Sequence, residues 1–150
     1  ATDLIRGLRN VRGEFRIAPS QWLTVQMVAE GPAREAIEAL RPAILVLARA
    51  EALAFLPAGT PKPQGAISVI LPAAEAYVPL AGRVDLSAEQ RRIERELAQA
   101  RSEAERLEAK LADAQFLTKA PAAVIEKERE KLTEHQDRAA RLEARLSEIG

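Results

Sequence analysis

Between Gly82 and Gly150 the chain contains no glycine, and small or apolar residues return every three or four positions. Leu86, Gln90, Ile93, Leu97, Ala100, Ala104, Leu107, Leu111 and Ala114 step by alternating fours and threes, and so do Ile125, Glu128, Leu132, His135, Ala139, Leu142, Leu146 and Ile149. A repeat of this kind puts each series on one helical face that is satisfied only by burial against a second such face. The stretch QFLTKAP, residues 115–121, separates the two series. Pro121 suits the first turn of a helix, Thr118 can cap it, and a short loop makes the helices antiparallel neighbours. Residues 83–150 are therefore expected to form a long antiparallel two-helix coiled-coil hairpin, turning at 115–121 and about 40 Å long at about 1.5 Å per residue.

Folding about that turn sets Leu111 opposite Ile125, Leu107 opposite Glu128, Ala104 opposite Leu132, Ala100 opposite His135, Leu97 opposite Ala139, Ile93 opposite Leu142 and Leu86 opposite Ile149. In the same register Glu103, Glu96 and Glu89 face Lys131, Arg138 and Arg145, three pairs of opposite sign worth about 0–1 kcal/mol each when exposed. His135 reads as a partly solvated seam residue and not as a metal ligand. One flank then carries Arg92, Arg106, Lys110, Lys127, Lys131, Arg138, Arg141 and Arg145 against Glu89, Glu96, Glu103, Asp113 and Glu134, eight cations to five carboxylates. The other carries Arg91, Arg101 and Arg129 against Glu94, Glu105, Glu108, Glu126 and Glu143, three to five. The cationic flank is the one suited to phosphates. On it Arg92, Arg106, Lys127 and Arg141 are expected to be the freer contacts, because Lys131, Arg138 and Arg145 face glutamates. At the turn, Phe116 or Leu117 is expected to fold over Val124 beside the Thr118 cap; the alternative leaves Phe116 exposed to stack on bases, next to Lys119.

Ahead of the repeat the pattern is different. Leu4, Leu8, Val11 and Phe15 mark a helix with one apolar stripe, which Thr2 or Asp3 can cap and which the segment 17–20 ends. Arg9, Arg12 and Arg16 form a row on another face, read as solvated, with phosphate contact as the alternative. Trp22–Val28 alternates as a strand, with Trp22 expected to anchor the core and a stacking role as the alternative. Ala33–Arg49 has helical spacing with Leu40, Ile44 and Leu47 on one side, and Pro42 kinks it or starts a second helix. Leu53–Leu56, Ala66–Leu71 and Ala74–Leu80 read as short strands, the last two as a hairpin. The fold class is α+β, a small sheet-plus-helix domain followed by the coiled coil.

Composition removes several functions. Lys and Arg number 22 against 22 Asp and Glu, so net charge forces neither a nucleic-acid nor a membrane partner. There is no Cys and one His, which excludes disulfide scaffolds and Cys-based metal sites. The longest apolar run, Ala43–Ala48, is too short to span a bilayer, and a soluble, cytoplasmic chain is expected. No phosphate-binding glycine loop, Ser/His/Asp set or dinucleotide fingerprint occurs, and no catalytic site is expected.

The segment FLTKAPAAVIEKEREKL, residues 116–132, closely resembles the carboxy-terminal arm of bacterial valyl-tRNA synthetases. LAGRVDL (80–86) resembles the join into that arm, and RNVRGE (9–14) with IAPS (17–20) resembles the end of the family's anticodon-binding helical domain. The resemblance implies a division at 1–18, 19–82 and 83–150. It further implies that the chain is a fragment of an ATP-dependent ligase that charges tRNA with valine, with the arm packed on the elbow of tRNA(Val). Arg92, Arg106, Phe116, Lys119, Lys127, Lys131, Arg138 and Arg141 are the candidate RNA contacts. The catalytic core, with its nucleotide-binding signatures, and the editing domain are not in these residues; they and the rest of the anticodon-binding domain are expected partners in the same polypeptide, and no cofactor is expected in the fragment. Two other classes remain open, a helical scaffold for protein assembly and the DNA-binding arm of an ABC-type ATPase; the α/β segment ahead of the coil argues against both.

Overall fold

Leu23, Val25, Met27 and Ala29 are buried and the residues between them half-buried, the two-residue period of a strand with one covered face. This strand lies at the centre of an α+β fold. The computed structural model describes residues 1–149. Its elements in chain order are α1 (Thr2–Glu14), β1 (Leu23–Ala29), α2 (Gly31–Ala39), α3 (Arg41–Ala48), β2 (Ala50–Phe55), β3 (Ala66–Leu71), β4 (Ala74–Pro79), α4 (Leu86–Ala112), α5 (Ala114–Lys119) and α6 (Ala122–Ile149). The four strands form one mixed sheet in the order β2-β1-β4-β3.

β1 and β2 are parallel, with Thr24 level with Ala52 and Met27 with Phe55, and the helices α2 and α3 supply the crossover that parallel neighbours need. β3 and β4 form the expected hairpin, paired from Ala66 with Pro79 to Leu71 with Ala74. α1 packs on α3 and β3, and α3 on β2. The core joins Leu4, Leu8, Val11 and Phe15 of the first helical stripe to Ile44, Ile67, Val78 and Leu80. Two compact units result, one of residues 1–89 together with the chain end from Glu148, the other Gln90–Ser147.

Several local expectations change. Trp22 precedes the strand and is 38 % exposed, because the inward positions are 23, 25, 27 and 29. Pro42 falls in the first turn of α3, so it starts a second helix. The break at Leu40 resets the helical phase: Ile37, Ile44 and Ala48 are buried, while Leu40 and Leu47 are 46 % and 48 % exposed. Ala1 is the N-cap residue of α1 without a side-chain bond, and Asp3 pairs with Arg6 at 3.5 Å instead of capping. That helix ends earlier than the proline suggested. Arg16 turns left-handed at φ 51°, its N–H reaching Gly13 O at 3.3 Å while Ile17 N–H reaches Arg12 O at 2.9 Å, the paired closure of a Schellman end.

Gly7 is where α1 comes nearest the sheet, since a Cβ there would lie 2.4 Å from Val69 Cγ1. Gly7→Ala gains about 1 kcal/mol of helix propensity but overpacks a closed contact, which costs about 1–3 kcal/mol. A net loss of about 1 kcal/mol is expected in urea unfolding, and adding Val69→Ala to Gly7→Ala should make that second substitution cost less than Val69→Ala does in the parent. Equal costs in the two backgrounds would contradict the close packing.

Candidate nucleic-acid interface

In the second unit the heptad positions are the inward ones. α4 buries Ile93, Leu97, Ala100, Ala104 and Leu107. On α6, Glu128 is buried, and Ile125, Leu132, His135, Ala139, Leu142 and Leu146 are half-buried amid exposed neighbours. Arg101 forms an ion pair with Glu143, and Gln136 Nε2 donates to Glu108 Oε1 at 3.1 Å. Seven residues forward along α4 thus correspond to seven residues back along α6, so these segments run antiparallel.

The register is not the expected one. That register set Glu108 level with residues 127–128, yet it meets Gln136, eight residues or about 12 Å further along the helix. The displacement is eight residues at Glu108 but only two or three at Lys110, which was expected level with residues 125–126 and meets Glu128, and its cause is local. Asp113 accepts from Gln115 N–H at 2.9 Å and caps α5, so residues 115–119, expected as part of the turn, are helical and the reversal falls at 120–121. Thr118 Oγ1 donates back to Ala114 O at 2.7 Å and does not cap α6. Ala114, expected in the seam, is exposed.

Shorter partners displace two of the expected cross-helix pairs. Glu103 takes Arg106 at 3.0 Å and Glu96 takes Arg92 at 3.4 Å, each within one turn of its own helix. Lys131 joins Lys110 on Glu128, at 3.4 and 3.5 Å. Arg92 and Arg106, expected to be free, are therefore paired. Among the described residues Lys119, Lys127, Arg138 and Arg141 take no ion-pair partner. Phe116 is half-buried under Lys110, whose Nζ is 4.9 Å from the ring centroid. Leu117 and Val124 stay 37 % and 40 % exposed. The opposite flank holds a shallow recess of about 340 Å³ lined by Arg101, Ala104, Glu108, Gln136, Ala139 and Glu143, among others.

Sequence reasoning treated Glu128 as an ordinary seam residue and missed its role; the available signal was a carboxylate at a heptad core position with a lysine three residues on. Burial works against its charge, but Lys110 and Lys131 outweigh burial and hold its carboxyl below the usual value of 4.5. No group of three or more His, Cys, Asp or Glu residues is gathered to hold a metal ion among the described residues.

Residues 85–150 match the family described as the valyl tRNA synthetase tRNA binding arm. Three curated relatives align well beyond that segment. The valine–tRNA ligase of Dehalococcoides mccartyi is 36% identical over 144 residues, 95% of this chain and 16% of that protein. That of Mesorhizobium japonicum is 35% identical over 148 residues, 98% of this chain and 16% of that protein. The chain belongs to the valine–tRNA ligase family. A third ligase, from Rhodopseudomonas palustris, is 40% identical over 131 residues, 86% of this chain and 13% of that protein. The chain thus spans roughly one sixth of the length of the valine–tRNA ligases it matches.

Glu128 gives this part of the ligase a pH signature. A depressed folded-state pKa contributes stability above the ordinary carboxylate value, and that contribution is lost as pH falls through the lower folded value. Glu128→Gln should lower the melting temperature at pH 7, and the gap to the parent should narrow as the pH drops below 4.5. A gap of constant size down to acid pH would contradict the two-lysine arrangement.

Proposed function

We propose that this chain is the tRNA-binding carboxy-terminal region of a valine–tRNA ligase. On this reading α4 and α6 form an antiparallel coiled-coil arm that docks on the elbow of tRNA(Val). Residues 1–18 are the end of the anticodon-binding helical domain, 19–82 a small α/β domain, and 83–150 the arm. The intact ligase would charge tRNA with valine at the expense of ATP in the cytoplasm, through domains outside these residues. No helix among the described residues is long and apolar enough to cross a membrane.

The observation that carries the reading is the coincidence of the arm match at 85–150 with a set of cations left over by internal pairing. Lys127, Arg138 and Arg141 on α6, with Lys119 in α5, are not consumed by carboxylates among the described residues, whereas Arg92, Arg106, Lys110 and Lys131 are. Unpaired cations can release counterions from a phosphate backbone without first breaking a protein ion pair. Phe116, covered by Lys110, supports the turn and becomes a stacking surface only if that lysine moves.

Lys127→Glu with Arg141→Glu should weaken tRNA binding by about tenfold or more and lower its salt slope by about two. Arg91→Glu with Glu105→Lys, on the other flank, should change little. Equal losses from both pairs, each variant still helical, would sink the assignment, as would preference for duplex DNA or a protein partner over tRNA. The isolated chain should give no valine-dependent pyrophosphate exchange.

A further inference from the structure

The turn that leads from α1 into β1 is held by arginines. Arg12 Nη2 donates to Ala18 O at 2.7 Å and Arg12 Nη1 to Arg49 O at 3.4 Å, Arg49 Nη1 donates to Pro19 O at 3.0 Å, and Arg9 Nε donates to Leu47 O at 3.1 Å. The sequence alone reads this row as a solvated helix face. Its contacts instead gather Arg9, Arg12 and Arg49 at the carbonyl end of α3, whose partial negative charge favours cations. That structural role uses one N–H of Arg9 and one of Arg49, out of the five each guanidinium carries. Arg16 is exposed with no bond to its side chain among the described residues.

Three observations exceed what holding the turn requires. Among the described residues no carboxylate pairs with any of these four arginines, and the nearby Glu51 is taken by Arg83 at 2.6 Å. Burial first, and then the like charge of Arg49, lower the Arg12 guanidinium below its ordinary value, so the cluster carries an uncompensated positive charge. Arg16 and Arg49 are also the two non-glycine residues with positive φ among the described residues, at 51° and 53°. Two helices thus end on left-handed arginines where glycine would be relaxed, and outliers of this kind gather at functional sites. Trp22 is 38 % exposed, and the residue after it is bonded to Arg49, from Leu23 N–H to Arg49 O at 2.9 Å.

We propose that Arg9, Arg16 and Arg49, with Trp22, form a second RNA contact in the first unit, separate from the cations of α6, in which guanidiniums grip backbone phosphates and the indole stacks on an unpaired base. Guanidinium forks match phosphate oxygens in pairs, and an exposed indole accepts any base. The proposal rests on RNA being the partner of this chain. It adds a point of attachment that the arm match, which starts at residue 85, does not cover.

Trp22 is the one tryptophan of the sequence and reports on this site directly. Titrating the full chain with a tRNA transcript, with fluorescence anisotropy of labelled tRNA to follow total binding, should quench Trp22 in step with binding. Arg9→Gln with Arg16→Gln should abolish most of the quenching and lower the salt slope by about two, with the variant still folded by circular dichroism. Unmoved Trp22 fluorescence at saturating tRNA would overturn the proposal, and so would parent-like quenching and salt slope in the double variant. Lys127→Glu with Arg141→Glu serves as the parallel arm: if it weakens binding while Trp22 never responds, the arm reading stands and this site falls. A chain that binds no tRNA at all removes both.

Discussion

A carboxylate buried in a mostly apolar seam is the constraint around which the second unit is arranged. Glu128 occupies a heptad position where a leucine would contribute more, and its charge persists there because Lys110 of α4 and Lys131 of α6 both reach it. A single polar seam residue of this kind selects register at a cost in stability. Here it fixes the level at which α4 and α6 meet and removes two lysines from the surface charge. The contacts of Arg101 with Glu143 and Glu108 with Gln136 complete the opposite flank. What the helices leave unpaired follows from these choices and not from the near-zero net charge of the chain.

The periodic part of the structure was readable from sequence and the relational part was not. Period alone identified Ile93, Leu97, Ala100, Ala104 and Leu107 as inward, and alternation with turn residues identified the Ala66–Leu71 strand and its hairpin partner. Register depends on where the chain reverses, and that was decided by one cap, Asp113, which makes a helix of residues expected to turn. The ion pairs went wrong for a related reason: Arg106 and Arg92 have glutamates within one turn of their own helices, and nearby partners win over a partner on another helix. Trp22 was misplaced by extending the strand one residue too early, and Leu40 and Leu47 by running one helical phase through a break. The register, Trp22, Leu40 and Leu47 each failed at a boundary.

Among the cations that internal pairing leaves, two sets differ in kind. Those of α6 lie on exposed or half-exposed helix positions spaced along a seam, within the segment that matches the family's arm. In the first unit Arg9, Arg12 and Arg49 are tied to carbonyls, with Arg12 partly buried, and Arg16 and Arg49 stand on left-handed backbone. Relatives align across both sets, since the matched ligases cover 95% and 98% of this chain. A spaced row of free cations suits a sequence-independent grip on a duplex backbone, whereas a fixed cluster with an exposed indole suits one phosphate and one base.

The central claim is that cations of α5 and α6 without an internal partner among the described residues, Lys119, Lys127, Arg138 and Arg141, meet tRNA. Backbone amide shift mapping of the labelled chain on titration with tRNA tests it most directly. The account predicts the largest perturbations in the second unit around Lys119, Lys127, Arg138 and Arg141, with Glu94, Arg101 and Glu105 little moved. Perturbations centred on Glu94, Arg101 and Glu105, with Lys127 and Arg141 unaffected, would contradict it.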